Sequence, residues 1–414
     1  MTKTTSQEIS ATTYRFRLRD FLLGAQMLFV AFGALVLVPI LAGLDPNVAL
    51  FTSGLGTLCF QLLTGGKVPV YLASSFAFIA PITLGIEKYG LSATLSGLAA
   101  AGVVYLILSL VVFRGGAAII ERVLPTIVTG PVIMVIGLGL AATAVEMATS
   151  AGDNYSAAIA TIVAAISLLA TILTAILARG FWRLIPILVG IVVGYGISLP
   201  LGLVDFSPVA QASWLAVPNF TAPSFSLPAV LFILPVAIAP AIEHIGDVLA
   251  IGSVTGNDYL RDPGIHRTLL GDGIATTLAA FLGGPPNTTY SEVTGAVALT
   301  KTFNPAIMTW AAISAIVLSF VGKLGAVLQT IPVPVMGGIL IVLFGTVVIV
   351  GMDTIMRSRE NLLLPRNIAI AGAILMLGVG GASFKSGAFA LEGIGLSSII
   401  GVLLNLLLPK SKHL

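Results

Sequence analysis

Apolar stretches of bilayer length recur from one end of this chain to the other, and that recurrence decides the class of fold. About 20 apolar residues cross a hydrocarbon core, and by that measure the 414 residues divide into fourteen predicted spans. They are 20–43, 47–64, 70–86, 92–113, 123–147, 156–178, 183–203, 228–251, 266–283, 287–301, 303–322, 327–352, 367–383 and 391–409. Hydrophobic residues make up 57% of the chain and charged residues 9%, a balance no soluble domain needs, so the expected fold is an all-α polytopic protein with the lipid bilayer as its solvent. Cys59 stands alone, which excludes an intramolecular disulfide, and with only three histidines no metal site is expected. The polar opening residues carry no short apolar core with a cleavage site, so no signal peptide is expected. No basic groove-facing element speaks for nucleic acid.

Charge gives the orientation. With fourteen crossings both termini share one side, and the loops on that side hold 17 of the 20 Lys and Arg residues, Lys3, Arg359, Lys410 and Lys412 among them. Lys88, Lys323 and Lys385 fall on the other side. The positive-inside rule then places both termini in the cytoplasm of a plasma-membrane protein.

The chain also repeats itself weakly. Leu124–Gly130 resembles Ile331–Gly337, 207 residues later, and Ala73-Ser74-Ser75-Phe76 resembles Thr289-Tyr290-Ser291-Glu292, 216 residues later. Seven spans per half is an odd number, so the halves would be inverted, a 7+7 inverted-repeat transporter plan. In it, spans 3 and 10 (70–86 and 287–301) are too short or interrupted to be plain helices. Each reads as a short extended strand feeding a half-helix, with residues near Ser75, Phe76 and Ala77 opposite residues near Tyr290, Ser291 and Glu292. Extended backbone at membrane depth is tolerated where it lines a cavity and presents hydrogen-bonding groups to a ligand.

Four acids lie inside predicted spans: Glu243, Asp247, Asp272 and Glu292. Each costs a few kcal/mol at the bilayer centre and so marks a functional position by default. Glu243 and Asp247 stand at i and i+4 on one helix face, where a proton on one relieves the repulsion of the other, as a proton-coupled carrier needs. Asp247 alternatively solvates a helix end or pairs with a donor. Glu292 either caps the half-helix that follows it or meets the substrate, and the two roles are compatible. Asp272 either joins this set or holds a helix pair together. His244 points to another face than Glu243 and reads more readily as an interhelical hydrogen-bonding residue than as a proton relay. Phe76, Phe78, Tyr290 and Phe344 are singled out by position alone, since most aromatics here are packing. No nucleophile has a base in reach, which argues against an intramembrane enzyme, and four embedded acids argue against an anion exchanger.

These pieces together resemble the nucleobase–ascorbate transporter family, and look most like its bacterial uracil/xanthine permeases. The resemblance rests on Glu292-Val293-Thr294-Gly295 through Thr300-Lys301, Ser74-Ser75-Phe76-Ala77-Phe78, Ala31-Phe32-Gly33 through Pro39, Glu243-His244-Ile245-Gly246, Leu260–Arg267 and Pro286-Asn287-Thr288-Thr289-Tyr290. It implies a core domain built from 14–115 and 228–325, a gate domain built from 116–227 and 326–414, and a homodimer through the gate. It implies that Glu243 and Glu292 hold ring N–H groups of a nucleobase. Backbone around Phe76, Ala77 and Ser291 would meet its carbonyls, Phe76 and Tyr290 would pack on the ring, and Phe344 would approach from the gate. It implies proton-coupled symport by alternating access, involving Glu243, Asp247, Asp272 and His244, with uracil the first substrate and no cofactor. Acids and free carbonyls suit sodium as well as a proton. Val293 stands where the signature carries Asn, and Asp247 where uracil permeases carry His; Asp247 and Asp272 look more like the xanthine and urate branch, the alternative substrate reading.

Overall fold

The computed structural model describes residues 12–116, 118–358, 360–386 and 389–409. Lys3, Arg359, Lys410 and Lys412, part of the charge asymmetry, lie outside them. The chain begins with α1 (Phe21–Ala42) and α2 (Pro46–Leu63), the latter started by Asp45, whose carboxylate accepts from Asn47 N at 2.8 Å. A short strand β1 (Leu72–Ser74), a 3-10 turn (Phe76–Phe78) and α3 (Ile79–Tyr89) lead to α4 (Leu91–Gly115). Then come α5 (Ala118–Val123), α6 (Thr126–Gly139), α7 (Ala141–Thr149), α8 (Ala157–Leu177), α9 (Pro186–Ser198) and α10 (Ser207–Gln211). The second half opens with α11 (Leu227–Ile233), α12 (Ile238–Thr255) and α13 (Ile265–Phe281), and continues through β2 (Asn287–Thr289), α14 (Ser291–Thr300) and α15 (Ala306–Ser319). It closes with α16 (Gly322–Gln329), α17 (Val333–Ser358), α18 (Pro365–Val379), β3 (Ser383–Ser386), β4 (Phe389–Glu392) and α19 (Gly393–Leu407).

Helices pack where small residues let backbones approach, since lipid leaves little hydrophobic drive for association. α13 lies against α4 and α2, and α15 against α2 and α1. A Cβ added at Gly273 of α13 would stand 2.8 Å from Tyr105 Cβ and 3.0 Å from the Gly102 carbonyl of α4, so that crossing admits no side chain. A second set of contacts centres on α17, which packs on α6, α7 and α8, while α18 packs on α19 and α6. The two sets touch through α1 with α9 and through α12 with α6 and α19. The longest fully buried side chains, Tyr71, Tyr105, Phe60 and Phe78, fall around the β1–β2 crossing and the α4–α13 contact rather than in the second set.

Six helical stretches among the described residues are long and apolar enough to cross a membrane alone: Leu18–Ala42, Leu91–Gly115, Thr126–Thr149, Ala157–Leu177, Leu227–Thr255 and Val333–Ser358. Shorter apolar helices at Pro186–Ser198, Ala306–Ser319, Pro365–Val379 and Gly393–Leu407 join them, and the protein is a multi-pass membrane protein. Several expected spans are broken or displaced. The span expected at 228–251 is α11, a 3-10 turn (Leu234–Ala237) around Pro235, and α12, because proline withholds an N–H and clashes with the preceding turn. The span expected at 327–352 starts at Val333 and runs to Ser358, with Pro332 separating it from α16. The hairpin β3–β4, in register Ser383↔Glu392 to Ser386↔Phe389, was not expected; it runs from the end of one predicted span into the start of the next, and hydropathy carries no pairing information.

Candidate functional site

β1 and β2 pair antiparallel, with Leu72 opposite Thr289, Ala73 opposite Thr288 and Ser74 opposite Asn287. Ser75 N donates to the Pro286 carbonyl at 2.9 Å, extending the ladder by one bond. The strands are short because each must hand its chain to a helix. Their other polar groups are met by side chains from flanking helices, as buried backbone requires. Thr57 Oγ1 accepts from Leu72 N at 2.9 Å, Thr276 Oγ1 donates to the Asn287 carbonyl at 2.9 Å, and Asn287 Nδ2 donates to the Thr52 carbonyl at 3.1 Å. α2 and α13 thus hold the crossing from both sides.

Each strand runs into a helix start. Ser75 and Tyr290, both extended, precede the Phe76–Phe78 turn and α14. The first N–H groups of each have no intrahelical partner, and the two helix starts bring a partial positive charge to the same crossing. Ser291 is therefore the first helical residue, where an extended residue was expected, and Glu292 sits in the first turn, where a carboxylate is favourable.

The acids are brought together unequally. Asp247 of α12 is buried and accepts from both sides of Tyr290: Thr289 Oγ1 donates to its Oδ2 at 2.8 Å, and Ser291 Oγ donates to its Oδ1. Glu243, one turn earlier on the same face, is half-buried, and its Oε2 is buried with no hydrogen-bond partner. α12 packs on both β2 and α14, so Glu243, Asp247 and Glu292 share one region. Asp272 approaches the same acids from α13. It is fully buried, and its Oδ2 faces His244 Nδ1 at 3.4 Å, while His244 Nε2 lies 3.0 Å from Thr268 Oγ1. His244 thus links α12 to α13. Among the described residues, no group of three or more His, Cys, Asp or Glu side chains could hold a metal ion.

The aromatics meet at the same crossing. The Phe76 and Tyr290 rings lie 6.2 Å apart and nearly parallel, at 12°, and Tyr290 Oη donates to the Ser74 carbonyl at 2.6 Å. Phe344 of α17 meets Phe76 edge-on at 5.8 Å and 87°, bringing the second set of helices to the crossing. Ala77 is buried beneath them, and Phe78 is fully buried core. Two buried hydroxyls at the crossing, Ser75 Oγ and Thr288 Oγ1, have no hydrogen-bond partner among the described residues. Sequence reasoning missed Thr289 and Thr268 as partners of the acids. For Thr289 a signal existed: alternation in an extended segment puts Thr289 and Ser291 on one face, away from Tyr290.

A crossed pair of broken helices with buried acids and unpaired polar groups is the arrangement that membrane carriers use at a ligand site. The profile of a family described as “Permease family”, the xanthine/uracil permeases, matches residues 19–386, and the chain belongs to this family, the nucleobase–ascorbate transporters. Among its relatives, the probable uracil permease of Pasteurella multocida is 54% identical over 390 residues, covering 94% of each chain. The uracil permease of Bacillus caldolyticus is 48% identical, covering 94% of this chain and 91% of its own. That of Escherichia coli K12 is 39% identical, covering 93% and 90%. These relatives are permeases, and the chain is a transport protein rather than an enzyme. Among solved structures, murine Slc26a9 in an inward-facing state aligns with a TM-score of 0.68 at 16% identity, covering 95% of this chain and 68% of that one. The transmembrane domain of the cyanobacterial bicarbonate transporter BicA aligns at 0.62 and 17%, covering 95% and 99%. At such identity the likeness concerns the fold alone.

Proposed function

We propose that this protein is a secondary active transporter that carries uracil across the plasma membrane together with a proton. The observation that carries the reading is the identity of 39% to 54% with uracil permeases along more than nine-tenths of the chain. In this reading Glu243 and Glu292 accept the ring N–H groups of the base. Free N–H groups at the starts of the Phe76–Phe78 turn and of α14, at Phe76, Ala77 and Ser291, donate to its carbonyls. An imide edge alternates donors and acceptors, which carboxylates and free N–H groups complement. Phe76 and Tyr290 pack on the ring and Phe344 closes over it from α17.

The packing of α1–α4 with α11–α15, and of α17 with α6–α8, supports a division into core (14–115 and 228–325) and gate (116–227 and 326–414). Transport would proceed by alternating access of one against the other, within a 7+7 inverted repeat of fourteen spans. Both termini are cytoplasmic, and the gate provides a homodimer contact. Glu243 carries the coupling proton next to Asp247, with Asp272 and His244 behind them. Because Asp247 already accepts two hydroxyl donors, its presence in place of histidine speaks for scaffolding rather than for a purine substrate.

The test is uptake and equilibrium binding of radiolabelled uracil by purified protein in liposomes, with xanthine, urate and bicarbonate as competitors, in wild type and Glu292→Gln. Glu292→Gln keeps the shape and removes a charge-assisted acceptor, for which a loss of about tenfold or more in uracil affinity is expected (about 1.5–3 kcal/mol). Competition by xanthine with unchanged affinity in the variant would move the protein to the purine branch. Stabilisation by bicarbonate alone would overturn the nucleobase reading.

A further inference from the structure

We propose that the segment before α1 and the end of α14 together form a binding site for a phosphate-bearing anion, with a phospholipid headgroup as its source, separate from the substrate site. A cavity of about 330 Å³ opens there, lined by Arg15, Arg17 and Lys301. Among the described residues none of these three cations forms an ion pair; Asp20, which also lines the cavity, faces Arg19 instead, at 3.8 Å, and accepts from Asn304 Nδ2 at 3.4 Å. Three cations therefore outnumber one engaged carboxylate and the partial negative charge at the C-terminus of α14.

The arm that carries the arginines is fixed. Arg15 N donates to Asn304 Oδ1 at 3.0 Å, Asn304 Nδ2 donates to the Arg15 carbonyl at 2.9 Å, and Trp310 Nε1 donates to the Arg17 carbonyl at 2.9 Å. Phe16 stacks on Trp310 with centroids 4.4 Å apart and planes at 12°. With the backbone anchored this way, only the side chains are left to order at the moment of binding. Orientation of the protein in the membrane asks only for cations in a loop. It does not ask for an anchored arm, a cavity, or a lysine in the left-handed region. Lys301 caps α14 at φ 54°, the only non-glycine residue with positive φ among those described, where glycine sits more easily. The strained position retains an ammonium group.

Guanidinium forks match phosphate oxygens bidentately, and an ammonium adds a point charge. The far wall is apolar, at Leu23 and Ile307, and the neighbouring Phe21 and Leu22 are exposed on the outer face of α1. A headgroup in the cavity would therefore leave its acyl chains against α1. Each cation near an anionic surface strengthens attraction by about fivefold.

Native mass spectrometry of the full chain in detergent, titrated with dioleoyl-phosphatidylglycerol, dioleoyl-phosphatidylcholine or inorganic phosphate, tests the site. The variants are R15Q/R17Q and Lys301→Gly; the second removes the charge and relieves the backbone, so it folds at least as well as wild type. Expected is tight retention of phosphatidylglycerol over phosphatidylcholine, weakened roughly fivefold by Lys301→Gly and about 25-fold by R15Q/R17Q. Uracil binding is expected to persist in both. Charge-dependent retention of inorganic phosphate with no preference for phosphatidylglycerol would support the phosphate site and overturn the lipid as its source. Equal retention of phosphatidylglycerol and of phosphate by wild type and both variants would overturn the proposal.

Discussion

Asp247 uses both carboxylate oxygens on hydroxyl groups that flank Tyr290, and this arrangement fixes more than a side chain. Thr289 ends β2 and Ser291 begins α14, so the acid clamps the point where strand becomes helix and sets the direction in which the first turn of α14, with Glu292, faces the crossing. An amide at this position keeps one acceptor oxygen and offers an NH2 to the other hydroxyl, which must then turn its own O–H elsewhere. Asp247→Asn is expected to destabilise by about 1–3 kcal/mol, because one hydroxyl proton loses its acceptor in a buried place. Thr289→Val should cost a similar amount in the wild-type background and much less when Asp247 is already Asn. Thermal unfolding of the two single variants and the double variant measures the coupling, and additive losses would show that the clamp does not act as a unit. The residues of this site were legible from sequence in proportion to how unusual they are at membrane depth. Glu243, Asp247, Asp272 and Glu292 announce themselves because a buried carboxyl group is costly. Thr289 and Thr268 do not, because a threonine in a membrane helix or strand satisfies itself locally in most places, and only the fold reveals the acid or histidine beside it.

At the scale of elements, the two strand-and-half-helix segments were readable and the long-range pairings were not. Pro285, Pro286 and a run of β-branched residues forbid a continuous helix before Ser291, so the strand and half-helix follow from local chemistry alone. The register Leu72↔Thr289 joins residues more than 200 positions apart, and nothing local encodes it. The same holds for hairpin β3–β4 and for the break of the span expected at 123–147 into α6 and α7 near Leu140. Glycine content is visible in the sequence, but which glycines are needed is a property of the contacts. At Gly102 of α4, a Cβ would meet Thr277 Oγ1 at 2.2 Å and the Gly273 carbonyl at 2.8 Å, whereas at Gly345 of α17 nothing lies within 4 Å. Gly102→Ala is therefore expected to destabilise by about 1–3 kcal/mol through overpacking of α4 against α13. Gly345→Ala is expected to be neutral or to stabilise by about 0.5–1 kcal/mol, since alanine loses less backbone freedom in a helix. Thermal unfolding in one detergent separates the two, and equal effects would mean that the α4–α13 approach does not limit stability.

For the whole molecule the question is what would drive the proposed cycle. No lysine or arginine ion pair reaches Glu243, Asp247, Asp272 or Glu292 among the described residues; the Lys and Arg pairs lie at Asp20, Asp258, Asp262 and Asp353. Four carboxyl groups within a low-dielectric interior, without a compensating side chain, must draw cations from solution if they are to be carried through a conformational change. Asp247 has two hydroxyl donors, whereas Glu243 Oε2 and both Asp272 oxygens are buried with no hydrogen-bond partner among the described residues; in the proposed mechanism Glu243, on the face of α12 shared with Asp247, is the group that exchanges a cation with each aqueous side. A proton fits that position better than sodium, which asks for several oxygen ligands around one ion. In liposomes, uracil accumulation is therefore expected to follow an inward proton gradient, to collapse with a protonophore, and to be unchanged when potassium replaces sodium on both sides. Glu243→Gln should abolish accumulation against a gradient. Accumulation driven by a sodium gradient and indifferent to the protonophore would assign the same acids to sodium, and the unpaired oxygen of Glu243 would become a candidate ligand.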